Sequence, residues 1–270
     1  MNLGKSISVE EQKKIALDVL LDVAEFCDEH GLRYFLAYGT LIGAIRHNGY
    51  IPWDDDIDIH MPREDYNKLI SIYNDQRKTD RYELIDPRSK KARHSFVKVV
   101  YTRTAKIEPG IDYQRGYLGV DIDIFPLDGV PSSEGEHREW YMSLKKIYSK
   151  YLFCIMKAKK NLKHRIGIPL IKLYTGGTLG IVKRASKVHA KFPYDQCEYV
   201  GVMESCFDII NDRYKKEWFS ESVLWDFEGH KLKIPVGYHE ILTQLYGDYM
   251  QLPPEEEQVT HHSNVTYWLE

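Results

Sequence analysis

The chain has 270 residues, enough for one large domain with a sizeable insertion, and its 43% hydrophobic content is ordinary for a globular protein. Its 37 Lys and Arg against 40 Asp and Glu leave a net charge of −3, which predicts no global attraction to nucleic acid or to membranes. The start, Met1-Asn2-Leu3-Gly4-Lys5, carries no long apolar segment, and no run is long enough to span a bilayer. Cys27, Cys154, Cys197 and Cys206 are scattered without a Cys-x-x-Cys pair. A cytoplasmic protein is therefore expected, without structural zinc or a disulfide framework.

Ser8-Val9-Glu10-Glu11 reads as a capping box, and Ile15, Val19, Val23 and Phe26 recur at helical spacing until Gly31 closes the helix. A buried strand is expected over 34–38, ended by Gly39-Thr40, with a short helix over 41–46 entered through Thr40. A loop over 47–55 leads to a strand over 56–60, and Pro62 suits the first turn of a helix reaching about residue 73. Strands are expected over 82–85, 96–101, 105–108 and 117–125, followed by a turn at Pro126-Leu127-Asp128-Gly129. Residues 134–191 read as helical, with breaks near Gly167-Ile168-Pro169 and Gly176-Gly177. A hairpin over 224–227 and 231–234 turns at Glu228-Gly229-His230, a last helix covers 238–246, and the tail with Leu252-Pro253-Pro254-Glu255 reads as irregular. The order describes an α/β (α+β) chain: a mixed-sheet core flanked by helices over 1–132, a basic helical subdomain over 133–195, and a small α+β return over 196–270 that packs back on the core.

The chemistry is concentrated in Trp53-Asp54-Asp55-Asp56-Ile57-Asp58-Ile59. On a strand, Asp56 and Asp58 leave one face while Ile57 and Ile59 bury the other. Asp121-Ile122-Asp123-Ile124-Phe125 repeats that pattern. Carboxylates held side by side repel unless something cationic lies between them. Oxygen ligands at a phosphate site suit Mg²⁺, as one or two ions, with Mn²⁺ the alternative. An isolated Asp-x-Asp is a weak motif that more often marks a solvated turn or cap. Here the isoleucines imply buried strands, where unpaired carboxylates are costly. Upstream, backbone N–H groups at Gly39-Thr40 stand at a helix entrance, a place suited to phosphate oxygens. Asp54 is expected to support the site and Asp55 to be solvated.

Gly39-Thr40, Asp56-Ile57-Asp58 and a later strand carboxylate resemble the nucleotidyltransferase-fold superfamily, with a longer gap between the first two motifs. The fuller string, Tyr38-Gly39-Thr40-Leu41-Ile42-Gly43-Ala44-Ile45-Arg46-His47 followed by Ile51-Pro52-Trp53-Asp54-Asp55-Asp56-Ile57-Asp58, is similar to the LicD family. So are Asp123-Ile124-Phe125-Pro126-Leu127-Asp128-Gly129 and Tyr246-Gly247-Asp248-Tyr249-Met250 with Leu252-Pro253-Pro254. The resemblance runs from the first helix to His261-His262, with no family motif between Trp140 and Tyr199. That family includes bacterial phosphocholine transferases and resembles the catalytic domains of fukutin and fukutin-related protein, whose zinc-binding cysteine cluster has no counterpart here.

The resemblance implies a nucleotidyltransferase-like core. It implies transfer of a phospho-alcohol from a CDP-activated donor to a sugar hydroxyl, releasing CMP. Phosphocholine from CDP-choline is the first expectation, with ribitol or glycerol phosphate as alternatives. The acceptor would be a lipid-linked or glycan precursor, such as a cell-surface glycan or teichoic acid. Asp56, Asp58 and Asp123 would be the catalytic metal ligands, with Asp121 competing by strand parity for the place near the incoming hydroxyl. Gly39, Thr40, Arg46, Lys98, Arg103, His261 and His262 would meet the donor. The alternatives are a solvated cation for Lys98 and Arg103, a helix C-terminal charge for Arg46, and a structural or solvent role for the histidines. A choline headgroup would want aromatic faces, for which Trp53, Tyr38, Tyr50 and Tyr117 are the candidates, and ordinary packing is the alternative for each.

Between Trp140 and Tyr194 lie 13 Lys and Arg and no Asp or Glu, interleaved with apolar residues such as Ile166, Leu170 and Leu173. This basic amphipathic segment suggests peripheral contact with an anionic membrane, on the inner face of the cell, or with the acceptor; a solvated basic face is the alternative. Three rivals use the same acids differently. One is an NTP-dependent nucleotidyltransferase acting on a small molecule. Another is a non-catalytic protein binding Ca²⁺ and anionic lipid, which lacks EF-hand spacing. The third is a phosphatase whose nucleophilic Asp would have to end a strand rather than begin one.

Overall fold

The computed structural model describes residues 2–111, 116–155, 162–203, 212–260 and 263–270. His261, His262, Cys206, Lys157, Lys159 and Lys160 lie outside the described residues, as do the side chains of Lys163 and Arg165. In chain order the first half forms β1 (Leu3–Ser6), α1 (Val9–His30), β2 (Phe35–Leu36), α2 (Tyr38–His47), β3 (Asp58–Pro62), α3 (Arg63–Gln76), β4 (Tyr82–Ile85), β5 (Val97–Tyr101), β6 (Thr104–Ile107) and β7 (Asp121–Val130). Helices α4 (Glu134–Ile155), α5 (Leu162–Thr175) and α6 (Gly177–His189) follow. The chain then forms β8 (Tyr199–Gly201), β9 (Arg213–Lys215), β10 (Ser222–Phe227), β11 (His230–Pro235), α7 (Tyr238–Tyr246) and β12 (Val265–Leu269). This mixed sheet flanked by helices is the expected α+β, nucleotidyltransferase-like fold.

Local chemistry sets the first helix. Ser8 Oγ accepts from Glu11 N–H at 3.2 Å, and Gly31 ends α1 in the left-handed conformation at φ 63°. The face of α1 carrying Val19, Leu20, Val23 and Cys27 is fully buried. It covers a sheet of order β2-β3-β7-β5-β4, in which β3 and β7 run parallel and β5 runs antiparallel to β7. Ile57, Ile59, Ile122, Ile124, Val97 and Val99 are all fully buried, so the alternate residues Asp58, Asp121, Asp123 and Lys98 leave the opposite face.

The main core continues into the C-terminal part through Tyr214, Phe219, Phe227, Leu232, Ile234 and Leu242. The hairpin turn is made by Glu228 at φ 51° and Gly229 at φ 80°, the two positive φ values of a tight two-residue connection. Its tip grips the acidic loop's approach: Glu228 N–H donates to Asn48 O at 2.9 Å, and Glu228 Oε1 accepts from Tyr50 N–H at 3.0 Å.

Several expectations change. The acidic strand begins at Asp58, leaving Asp56 just before it, and Pro62 ends that strand as the cap of α3 rather than opening its first turn. Helix α2 begins at Tyr38, not Leu41. Pro126-Leu127-Asp128-Gly129 is not a turn: β7 runs through it to Val130, exchanging partners on the way. Pairing with β5 stops at Ile124, and β8 takes over at Asp128. Gly129 is there for close approach, since a Cβ would meet Phe192 O at 2.5 Å and Pro193 O at 2.7 Å. Pro169 lies inside α5 rather than breaking it, while Gly176 does separate α5 from α6. The stretch 252–254 is irregular as expected, but beyond it the chain closes the fold with an unexpected strand: β12 pairs with both β1 and β6. Val265-Thr266-Tyr267-Trp268-Leu269 is rich in β-branched and aromatic residues, a signal for that strand.

Candidate active site

The register of β3 on β7 sets Asp58 opposite Asp123, and β5 sets Lys98 on the far side of Asp123. Facing acids on neighbouring strands repel. Lys98 offsets part of this by pairing with Asp123 Oδ1 and, at 2.6 Å, with Asp121 Oδ2; Lys106 from β6 pairs with Asp121 Oδ1 at 2.7 Å. Lys98 is 4% exposed, which excludes a solvated surface cation. Burial opposes its charge, yet Asp121, Asp123 and Glu108 hold its pKa well above the usual lysine value. Burial likewise acts to raise the Asp121 carboxyl, but Lys106 and Lys98 prevail and hold it below the usual carboxylate range. The two acids of β7 thus differ. The Asp121 side chain is 1% exposed with both oxygens ion-paired, whereas that of Asp123 is 19% exposed.

Asp58 is fixed by its backbone. Its N–H donates to Thr40 Oγ1 at 2.9 Å, and its carbonyl accepts from Ala37 N–H at 3.0 Å. Burial first, then the charges of Asp56, Asp123 and Asp54, push its carboxyl well above the usual range, against Lys98. Gly39 explains how Asp54 comes so close: a Cβ there would lie 2.5 Å from Asp54 Oδ2. The first turn of α2, expected to cradle phosphate, therefore receives a carboxylate of its own chain. Asp55 is not solvated as expected; it is buried, and its Oδ2 accepts from Gln12 Nε2 at 3.1 Å.

Beside Asp58, a cleft of about 270 Å³ opens over Asp123. Its lining includes Asp56, Glu108, Asp121 and Asp123 against Lys98 and Lys106, so the fixed carboxylates outnumber the lysines. His94 Nε2 lies 3.1 Å from Glu108 Oε2 at the rim. Burial acts to raise the Glu108 carboxyl, but His94 and Lys98 together outweigh it and bring the pKa to about 2. His94, Lys106 and Glu108 were missed from sequence. Lys106 and Glu108 alternate along the expected strand, a periodicity that places them on one face; His94 stands in a turn and left no such signal.

Among the described residues no group of three or more His, Cys, Asp or Glu side chains is gathered to hold a metal ion by itself. The donor set still fits Mg²⁺, which is usually held by one or two carboxylates and completed by substrate phosphates and water. A cleft with excess negative charge also needs a cation before it can admit a diphosphate.

The remaining candidates are spread out. Arg46 Nη1 donates to Tyr249 O at 3.0 Å, tying α2 to the C-terminal part. Arg103 sits at the exposed β5–β6 turn, 3.2 Å from Asp80 Oδ2. Tyr50 donates its hydroxyl to Lys13 O at 2.7 Å and packs on Phe227. Tyr38, at φ 43°, packs edge-on against His60 and Phe125, with its hydroxyl 3.4 Å from Asp212 Oδ1. Trp53 stands beside His47, and Tyr117 is exposed. Tyr38, Tyr50 and Trp53 pack against different neighbours. His261 and His262 lie outside the described residues.

Residues 31–151 match a family model described as LicD/FKTN/FKRP, nucleotidyltransferase domain. Over 274 aligned residues, covering 98% of this chain and all of the relative, the sequence is 32% identical to the lipopolysaccharide cholinephosphotransferase LicD of Haemophilus influenzae. It is also 28% identical over 116 residues to the human ribitol 5-phosphate transferase FKRP, a match covering 40% of this chain and 20% of that protein. The matched region contains the acid row, its lysines and the glycine-threonine turn that holds Asp58, and the full-length similarity extends to the C-terminal part gripping the acidic loop. The chain belongs to the LicD family, as a transferase of that type.

Proposed function

We propose that this protein transfers a phospho-alcohol, phosphocholine foremost, from a CDP-activated donor to a sugar hydroxyl of a lipid-linked or cell-surface glycan precursor, releasing CMP on the cytoplasmic side. The observation that carries the proposal is the row Asp58–Asp123–Lys98, in register across three strands, with Asp123 and Lys98 lining an acid-rich cleft. Full-length similarity to a cholinephosphotransferase supports the class of group transferred. Asp56 and Asp58 would hold Mg²⁺, with Asp123 beside them; when bound, the metal would neutralise the donor diphosphate and favour departure of CMP. Thr40 keeps the Asp58 backbone in place. Lys98 favours the ionised form of Asp123 and balances its charge, and the more exposed Asp123 carboxylate can accept a hydrogen bond from the incoming hydroxyl. Lys106 holds Asp121 away from the chemistry.

Ribitol phosphate is the second reading. Tyr38, Tyr50 and Trp53 pack against three different sets of rings, and part of the chain is similar to a ribitol 5-phosphate transferase. Donor identity is tested by thermal shift and CMP release with CDP-choline, CDP-ribitol, CDP-glycerol and NTPs in Mg²⁺. Pyrophosphate release from an NTP would favour the nucleotidyltransferase alternative instead. The site is tested by Asp58→Asn, expected to cut turnover by about 10³-fold or more while leaving the melting temperature undiminished, because the amide removes a charge from a crowded site. Near-normal turnover in that variant would refute the assignment.

A further inference from the structure

Helix α5 is apolar on two faces. Its inner face packs Ile168, Ile171 and Thr175 toward α4 and α6. Its outer face carries Ile166, Leu170, Leu173 and Tyr174, which are 54, 59, 83 and 72% exposed. These follow the spacing i, i+4, i+7, i+8, one continuous stripe on the helix. A surface helix normally turns a polar face to water, and a row of large apolar side chains left outward marks an interaction surface.

The surroundings of the row are cationic. Lys150 Nζ and the Arg184 guanidinium lie 5.6 and 5.5 Å from the centre of the Tyr174 ring, and Arg184 Nη2 donates to Tyr174 O at 3.1 Å. No Asp or Glu occurs between Trp140 and Tyr194. A two-fold pairing of this face with a second copy would set these cations against one another, because such an interface presents the same patch twice. An anionic phospholipid surface offers the opposite: acyl boundary for the apolar row and phosphates for the cations. Tyr174, with an apolar ring and a polar tip, suits that boundary. Among the described residues no helix is long and apolar enough to cross a membrane, so α5 would lie in the interface.

We propose that the outer face of α5 docks this protein on an anionic bilayer, with Ile166, Leu170, Leu173 and Tyr174 entering the headgroup–acyl boundary and Lys150 and Arg184 engaging lipid phosphates. The inference is independent of the chemistry read from the cleft.

The test is co-sedimentation of the full chain with phosphatidylcholine vesicles, with and without phosphatidylglycerol. The chain should pellet with the anionic vesicles and release as salt rises. Leu170→Ser/Leu173→Ser should keep the wild-type melting temperature and bind at least about tenfold more weakly. Lys150→Gln and Arg184→Gln should each weaken binding about fivefold and flatten the salt dependence. Three results would overturn the proposal: wild-type protein left in the supernatant with anionic vesicles at low salt, a folded double-serine variant that pellets like wild type, or equal binding to neutral and anionic vesicles. Sedimentation velocity adds a fourth: a concentration-dependent dimer lost in the double-serine variant, without vesicle binding, would assign the face to self-association.

Discussion

Asp54 and Gly39 illustrate how single residues set this centre. The carboxylate of Asp54 approaches the start of α2 where the residue there has no side chain. Gly39→Ala should therefore push Asp54 aside and disturb the loop that delivers Asp56, costing about 1 kcal/mol of stability and lowering turnover about 10²-fold. In an Asp54→Ala background the same methyl group finds room. Urea unfolding of the four proteins of that cycle should show the stability cost disappear, and an unchanged cost would mean that Asp54 is not what the methyl group meets. The sequence made Asp56, Asp58 and Asp123 legible through alternation with isoleucine. It could not show that Asp55 turns inward to Gln12, because that contact spans 43 residues of chain. Nor could it separate Asp121 from Asp123, which share a parity; the difference lies in Lys106, on another strand.

At the scale of elements, β7 is where the sequence reading went furthest astray, since Pro126 and Gly129 carry turn composition. Composition reports local preference, whereas a strand is fixed by its partners. At β7 those partners are β3 along its middle and β8 at its end. Gly129 separates the two interpretations experimentally. A glycine in an open turn accepts alanine at little cost. Here the added methyl group would press on the backbone of Phe192 and Pro193, so Gly129→Ala should destabilise by about 2 kcal/mol in urea unfolding. A cost near zero would show that residues 192–197 can yield. The helix α1, by contrast, was readable to both ends, because its signals, the Ser8 cap and Gly31, act within a few residues of where they stand.

At the scale of the whole molecule, one buried cluster joins the sheet to the helices. Asp128 of β7 accepts from Arg63 of α3 through both oxygens, at 2.7 and 2.6 Å, and His189 Nδ1 of α6 lies 3.1 Å from it. Burial works to raise the Asp128 carboxyl, but Arg63 and His189 outweigh it and hold it below the usual carboxylate range. A carboxyl lowered on folding contributes stability above its unfolded pKa, and that contribution is lost as pH falls through the folded value. Arg63→Met should thus cost about 3 kcal/mol near neutrality by stranding a buried charge. The gap from wild type should narrow as pH drops below about 4, where unfolded Asp begins to protonate. Denaturant titrations at both pH values check this, and a gap that widens in acid would contradict it.

By itself the sequence determined the class of fold, the acid-bearing strands and the family, because strand alternation and short motifs are written in contiguous residues. Only the tertiary structure decided which acids face one another, that Lys98 and Lys106 are buried partners of those acids, and that helix α5 presents apolar side chains outward. Each of those depends on register between strands or packing between helices, and both are set by contacts between residues far apart in the chain.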